Sequence, residues 1–386
     1  MINFEYRFSS KLTTDIKKSQ VIINSANEIQ LIKSKHPREY DDYKELLNDS
    51  FILKLIFCKP KLIKKQIKEI FEKYPLLADR FNPRWNFEKY TFDFTILSKK
   101  IKGHESEYRL HKNKLLHELT LLSKEKNSLL ANYFISELAK SKNLTAVKRL
   151  SFRIRNVCYG RSKPIKKVSC LYPKIFHHLE NIFNYELLRK NFGLRIIKSS
   201  NVEICPYCNK RSIECTLGKY VTATPDLDHF YPKSKYPFLS ISLYNLVPSC
   251  NYCNQKFKHN RDTYPDYLNP LVEGIEKQRL FSYIPGTSNT KSRILLNNIA
   301  KFNKNIDMFE LETEYNSNRV LQRYSEIEKL IMGINAGLGN VADLMKDKEF
   351  RLNFFQITRD NSSKKIELYK FKIDMIRQLT GFNFKS

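Results

Sequence analysis

Two Cys-x-x-Cys knuckles, CPYC at Cys205 and Cys208 and CNYC at Cys250 and Cys253, constrain this chain more than any other feature. Two thiols separated by two residues can be aimed by one tight turn at a single ion, and two such pairs close a tetrahedral Zn²⁺ site. A closed tetrathiolate site leaves no position for substrate, so its expected role is structural. It supplies folding energy to a short segment with little core of its own. The remaining cysteines, Cys58, Cys158, Cys170 and Cys215, lack paired spacing and are expected as buried small hydrophobes, with Cys215 the near neighbour of the first knuckle.

Between the knuckles the sequence DLDHFYPKS places Asp228 beside His229, and YNLVPSC comes next with Asn245. Hydrolysis of a phosphodiester needs an activated water, a cation to absorb charge on the phosphate, and a group that holds the base in orientation. Asp228 suits a hard, oxygen-preferring ion such as Mg²⁺ or Mn²⁺. His229 suits proton removal from water. Asn245 can fix the imidazole, and Asn254, one residue past the last thiol, offers an amide oxygen as second metal ligand. Successive residues of a strand face opposite sides, so joint use of Asp228 and His229 requires the backbone to bend there or one side chain to reach round. Lys256 or Lys258, one turn further on, is placed to steady a flanking phosphate.

The runs DHFYPKS, YNLVPSC and CNYCNQK resemble the HNH endonucleases. That resemblance covers about 55 residues, and it implies a ββα-metal module with the acidic ligand at Asp228, the base at His229, the middle asparagine at Asn245 and the last motif position at Asn254. The last position departs from the histidine pattern, giving an HNN form, and is read as a change of ligand strength; His259 is a substitute ligand to be checked. A weaker likeness continues through DYLNPLVEGIE and DMFELETEYNSNR to the HNH nucleases of bacterial anti-phage systems, Septu and retron associated, in which a small HNH protein partners an ATPase.

Composition agrees. With 386 residues, 41% of them hydrophobic, 26 Phe and 22 Tyr, the chain can bury at least two cores. Only 10 Gly, with abundant Lys, Leu, Ile, Glu and Asn, favours helices over sandwiches or barrels. No apolar run reaches the roughly 18 residues of a membrane span, and MINFEYRFSS has no signal-peptide core. No phosphate-binding glycine loop occurs, so an ATPase, where one is needed, is another protein. Unpaired thiols and a zinc ribbon suit the bacterial cytoplasm.

The formal net charge is +28, and most of the excess precedes the knuckles. No acid occurs between Glu137 and Glu180, whereas Lys148, Arg149, Arg153, Arg155, Arg161, Lys163, Lys166 and Lys167 all lie in that interval. Cations without counter-charge make a polyanion footprint, so this arm is expected to touch nucleic acid.

Helical periodicity marks DDYKELLNDSFILKLIF, KLIKKQIKEIFEKY, Glu105 to Leu138, Thr145 to Val157, and a stretch ending at a Gly193 cap before strand-like LRII. KYTFDFTIL alternates as a short strand or extended bridge, Tyr159 to Pro164 reads as a loop, and FSYIPGTSNTKS reads as a turn-rich connector. Helices are expected again from Ile306 to Met332, with a break near the glycines of INAGLGN, and from Ser363 to Leu379. The fold class is therefore mainly α with a small α+β insertion: a basic helical domain over 1–195, a ββα-metal HNH module with a four-cysteine zinc site over 196–275, and a C-terminal helical region over 276–386. The expected function is a metal-dependent endonuclease acting on DNA, in anti-phage defence, with an ATPase or another defence protein as partner and no membrane. The alternatives are a nuclease of RNA or tRNA, and a catalytically inert zinc-ribbon nucleic-acid-binding or scaffold protein.

Overall fold

Proline at the first helical position and apolar residues at helical spacing make Pro60–Lys73 a helix whose inner face is Ile63, Ile67, Ile70 and Phe71. The same logic runs through most of the chain. The computed structural model describes residues 2–161, 165–217, 221–288, 290–357 and 362–384; it is mainly helical, with three small antiparallel sheets of two strands each. None of its helices is long and apolar enough to cross a membrane.

Compactness gathers the chain into two units. One comprises residues 20–185 and 231–241; the other comprises 1–19, 186–230 and 242–386.

The helical unit is centred on aromatic side chains. Phe71 packs against Trp85, Tyr236 and Phe238 with ring centroids 5.3, 5.6 and 5.5 Å away. Asn82 donates to the Tyr236 hydroxyl at 2.9 Å. The stretch expected as one helix from Glu105 to Leu138 is two, Glu105–Lys126 and Leu129–Lys140, because Asn127 turns left-handed at φ 51° and Ser128 caps the second helix by accepting from the Ala131 amide. KYTFDFTIL forms no strand. Asp93 accepts from both the amide and the hydroxyl of Thr95 and turns the chain into the short 3-10 helix Thr95–Ser98. The basic helix runs Leu144–Cys158 and buries Val147, Leu150, Ile154 and Val157.

The second unit starts with the N-terminal segment. The Ile2 amide donates to the Pro206 carbonyl, the Phe4 amide to that of Pro270, and the Tyr6 hydroxyl to that of Leu246, which ties the first residues to the knuckles. Gly193 does not end a helix: Tyr185–Ser200 is continuous, with Leu188, Phe192 and Ile196 buried at intervals of four, and LRII is helical rather than a strand. The expected connector FSYIPGTSNTKS builds a hairpin instead, with Phe281–Ile284 paired to Arg293–Leu296. Asp374 on the helix Tyr369–Thr380 accepts from the Leu280 and Phe281 amides, which anchors that hairpin. The helix expected from Ile306 to Met332 is divided into Asn303–Met308, Leu311–Tyr315 and Asn318–Gly337, and the last runs through Gly333 before ending at Leu338. Leu368 at φ 56° likewise separates Ser362–Lys365 from Tyr369–Thr380.

Candidate metal and nuclease site

The first knuckle is a reversal closed by backbone: the Asn209 amide donates to the Cys205 carbonyl at 2.8 Å and the Cys205 amide to that of Arg211 at 2.9 Å. Asn209 takes φ 52°, a conformation asparagine tolerates, and its side chain accepts from the Lys370 amide. The second knuckle leaves the strand Leu246–Ser249 and enters the π-helical turn Tyr252–Lys258; the Cys253 amide faces the Cys250 sulfur at 3.5 Å.

Folding brings all four sulfurs together. Cys205, Cys208, Cys250 and Cys253 are buried, and their Sγ atoms lie within 4.8 Å of one another. This donor set suits a metal ion such as zinc. Thiol donation from Cys205, Cys250 and Cys253 holds the Cys208 pKa well below the ordinary thiol value. Burial opposes the charge of Arg211, but the Cys208 thiolate and Glu314 more than offset it and raise its pKa. The other cysteines stay apart from the cluster. Cys58 is buried and Cys158 and Cys215 half-buried, but Cys170 is exposed, contrary to expectation.

Asp228 and His229 end the strand Asp226–His229, which pairs antiparallel with Leu246–Ser249 so that Asp228 stands opposite Val247 and His229 opposite Leu246. Strand alternation puts Asp226 and Asp228 on one face and turns His229 to the other. His229 is 8% exposed, and Asn245, fully buried, ends the short 3-10 helix Leu243–Asn245 just before the strand Leu246–Ser249, its carbonyl accepting from the Phe230 amide.

On the acidic face each carboxylate meets the π-helical turn. Asp226 accepts from the side-chain amides of Asn254 at 3.0 Å and Gln255 at 2.8 Å. Asp228 accepts the Lys258 ammonium on Oδ1 at 2.9 Å and the Tyr207 hydroxyl on Oδ2 at 2.6 Å. Lys258 also donates to the His229 carbonyl at 2.7 Å. Asp228 and Asn254, expected as joint ligands, are thus held by different partners. The largest departure is Lys258: at 1% exposure it is an internal counter-ion and offers nothing to an external phosphate. Lys256 is exposed, 4.5 Å from the Tyr252 ring centroid. At His259 the backbone reverses, at φ 47°, and among the described residues it joins no metal-holding group.

Comparison with known proteins gives two partial likenesses. The chain is 33% identical over 94 residues to Septu protein PtuB of Bacillus thuringiensis, covering 23% of this chain and 33% of that protein. It is 30% identical over 101 residues to protein ea31 of Escherichia phage lambda, covering 25% of this chain and 31% of the relative. The chain thus spans about a third of the length of these relatives. No protein-family model and no solved structure matches it.

Asp226 and Tyr207 were missed by sequence reasoning. Period two along DLDH would have put Asp226 on the Asp228 face; nothing in CPYC signals that its tyrosine reaches a carboxylate 21 positions away.

The basic arm belongs to the helical unit. Arg149, Arg161, Lys166 and Lys167 are exposed, and Lys148, Arg153 and Arg155 are partly so. Several lie near aromatic rings: Arg155 is 4.6 Å from the Phe152 centroid, Arg153 5.5 Å from Tyr133 and Arg161 5.7 Å from Tyr159. Lys148 donates to the Lys99 carbonyl at 2.7 Å. Lys163 lies outside the described residues.

Proposed function

We propose that this chain is a metal-dependent HNH-type endonuclease that hydrolyses phosphodiester bonds of DNA and serves in bacterial anti-phage defence, with an ATPase or another defence protein as partner. The observation that carries this reading is the buried cluster of four sulfurs, because it ties the first knuckle, whose Tyr207 donates to Asp228, to the second, which leads into the turn bearing Asn254. The defence role rests on the likeness to Septu protein PtuB.

The donor set suits a hard divalent ion, since the carboxylates of Asp226 and Asp228 stand against the turn that carries the Asn254 side-chain amide, whose nitrogen donates to Asp226. Asp228 and Asn254 would hold it, with Asp226 adjacent. A bound Mg²⁺ or Mn²⁺ would supply charge stabilisation on the phosphate. His229, which has to reach round the end of its strand to the Asp228 side, acts as general base on the attacking water, and Asn245, in the short 3-10 turn just before the neighbouring strand, keeps the imidazole in place. Arg149, Arg153, Arg155 and Arg161 engage the phosphate backbone, which carries no base information, so sequence specificity is low. Zinc in the four-cysteine site fixes the scaffold.

One observation favours a second reading, an inert zinc-ribbon nucleic-acid-binding protein: both oxygens of Asp228 already accept internal donors. The experiment offers plasmid, single-stranded DNA, tRNA and total RNA to wild type and His229→Ala, with Mg²⁺, Mn²⁺ or EDTA and with metal content measured. A nuclease loses roughly 10²- to 10⁴-fold in rate in the variant; equal behaviour of the two proteins selects the inert reading.

A further inference from the structure

Lys258 takes the place at Asp228 that an external cation would otherwise fill. Its ammonium lies 2.9 Å from Oδ1, and the two side chains are 1% and 3% exposed. The π-helical turn, closed by the His259 amide on the Asn254 carbonyl at 2.7 Å, puts Asn254 and Lys258 on one face, so a donor from the turn stands against each of Asp226 and Asp228. Lys258 is fixed a second time by the His229 carbonyl, and Tyr207 holds the other oxygen of Asp228. Tyr207 is itself immobilised, fully buried and stacked on Phe309 at 4.5 Å. The carboxylate therefore cannot simply swing away from the ammonium.

A buried carboxylate without a cation is strongly disfavoured, so Lys258 stabilises the protein before any metal arrives. A divalent ion that joins the same carboxylate meets a fixed positive charge a few ångströms away in a poorly screening interior. Its binding is opposed unless further negative charge enters with it, and a nucleic-acid phosphate brings that charge.

We propose that Lys258 is a positioning residue that sets the divalent affinity of Asp228, keeping it low in the free protein and raising it when a nucleic-acid phosphate occupies the site. The inference rests on the nuclease reading above. It makes metal and nucleic acid mutually reinforcing ligands, so each must raise the affinity of the other by the same factor.

The test uses the zinc-loaded full chain in a His229→Ala background, where the DNA stays intact, and counts free Mn²⁺ by electron paramagnetic resonance with and without a short duplex. The parent should bind Mn²⁺ about tenfold or more tightly with the duplex than without it, whereas Lys258→Met should bind tightly without DNA and gain little from it. Equal Mn²⁺ affinity of the parent with and without duplex overturns the proposal, as does a Lys258→Met protein that binds no more tightly than the parent. Lys258→Gln is run alongside; if neither variant keeps its zinc and its helical circular dichroism, the parent's duplex dependence alone decides. Asp228→Asn separates the two levels. Mn²⁺ binding that survives in Asp228→Asn removes Asp228 from the metal site and with it the nuclease reading. Binding lost in Asp228→Asn yet unchanged in Lys258→Met leaves that reading intact and overturns the role of Lys258.

Discussion

His111 illustrates how one buried side chain couples stability to pH. Its Nε2 lies 2.9 Å from the Ser151 hydroxyl oxygen, and that hydroxyl donates to the Val147 carbonyl, so Nε2 carries the ring hydrogen and donates. Burial lowers the His111 pKa below its ordinary value. In the unfolded chain the imidazole is protonated as pH falls through about 6.5, while the folded one resists, so stability present above that value is lost as pH falls toward the lowered folded pKa. Between pH 7 and pH 5, wild type should therefore lose melting temperature more steeply than His111→Gln; parallel curves in calorimetry would refute this. His111 carried no sequence signal, because helical spacing alone does not say that Ser151 stands opposite. The zinc-type cysteines were legible, since their turn geometry is local. Lys258 was misread because a lysine after a knuckle looks like a phosphate contact until packing buries it.

At the scale of elements, amphipathic helices were legible and their ends were not. Glu105 to Leu138 reads as one periodic run, yet Asn127 and Ser128 break it, and capping decides that boundary. Gly193 reads as a stop, yet burial of Leu188, Phe192 and Ile196 carries the helix through it. The first knuckle depends on Asn209, left-handed and bonded through Oδ1 to the Lys370 amide at 3.0 Å. Asn209→Gly keeps the backbone conformation and loses the bond, whereas Asn209→Ala loses both. Denaturant midpoints should fall in the order Asn, Gly, Ala, with Ala about 1–3 kcal/mol below wild type; Ala equal to Gly would show that the left-handed turn carries no cost.

Across the whole molecule the net charge of +28 is the dominant long-range property. None of Arg149, Arg153, Arg155 and Arg161 forms an ion pair among the described residues, and their aromatic neighbours leave the charges uncompensated. If these arginines meet phosphates, Arg149→Gln with Arg155→Gln should weaken duplex binding and flatten the plot of log affinity against log salt by about two units. An unchanged slope in fluorescence anisotropy would move the nucleic-acid interface elsewhere. The variant pair should leave zinc content untouched, since both residues belong to the helical unit.

The sequence by itself determined what is encoded locally: mainly helical architecture, two thiol pairs spaced to share an ion, a basic arm without acids, and the pairing of a carboxylate with an imidazole in DLDH. These depend on spacing, periodicity and composition, which short-range sterics and burial translate directly. Only the tertiary structure decided that residues 1–19 join the knuckles, that Tyr231–Ile241 belongs with the helices, and that Asp228 is held by Tyr207 and Lys258 while Asn254 turns to Asp226. Those choices hang on contacts between residues far apart in the chain, where desolvation makes each buried charge and hydrogen-bonding group take whatever partner folding delivers.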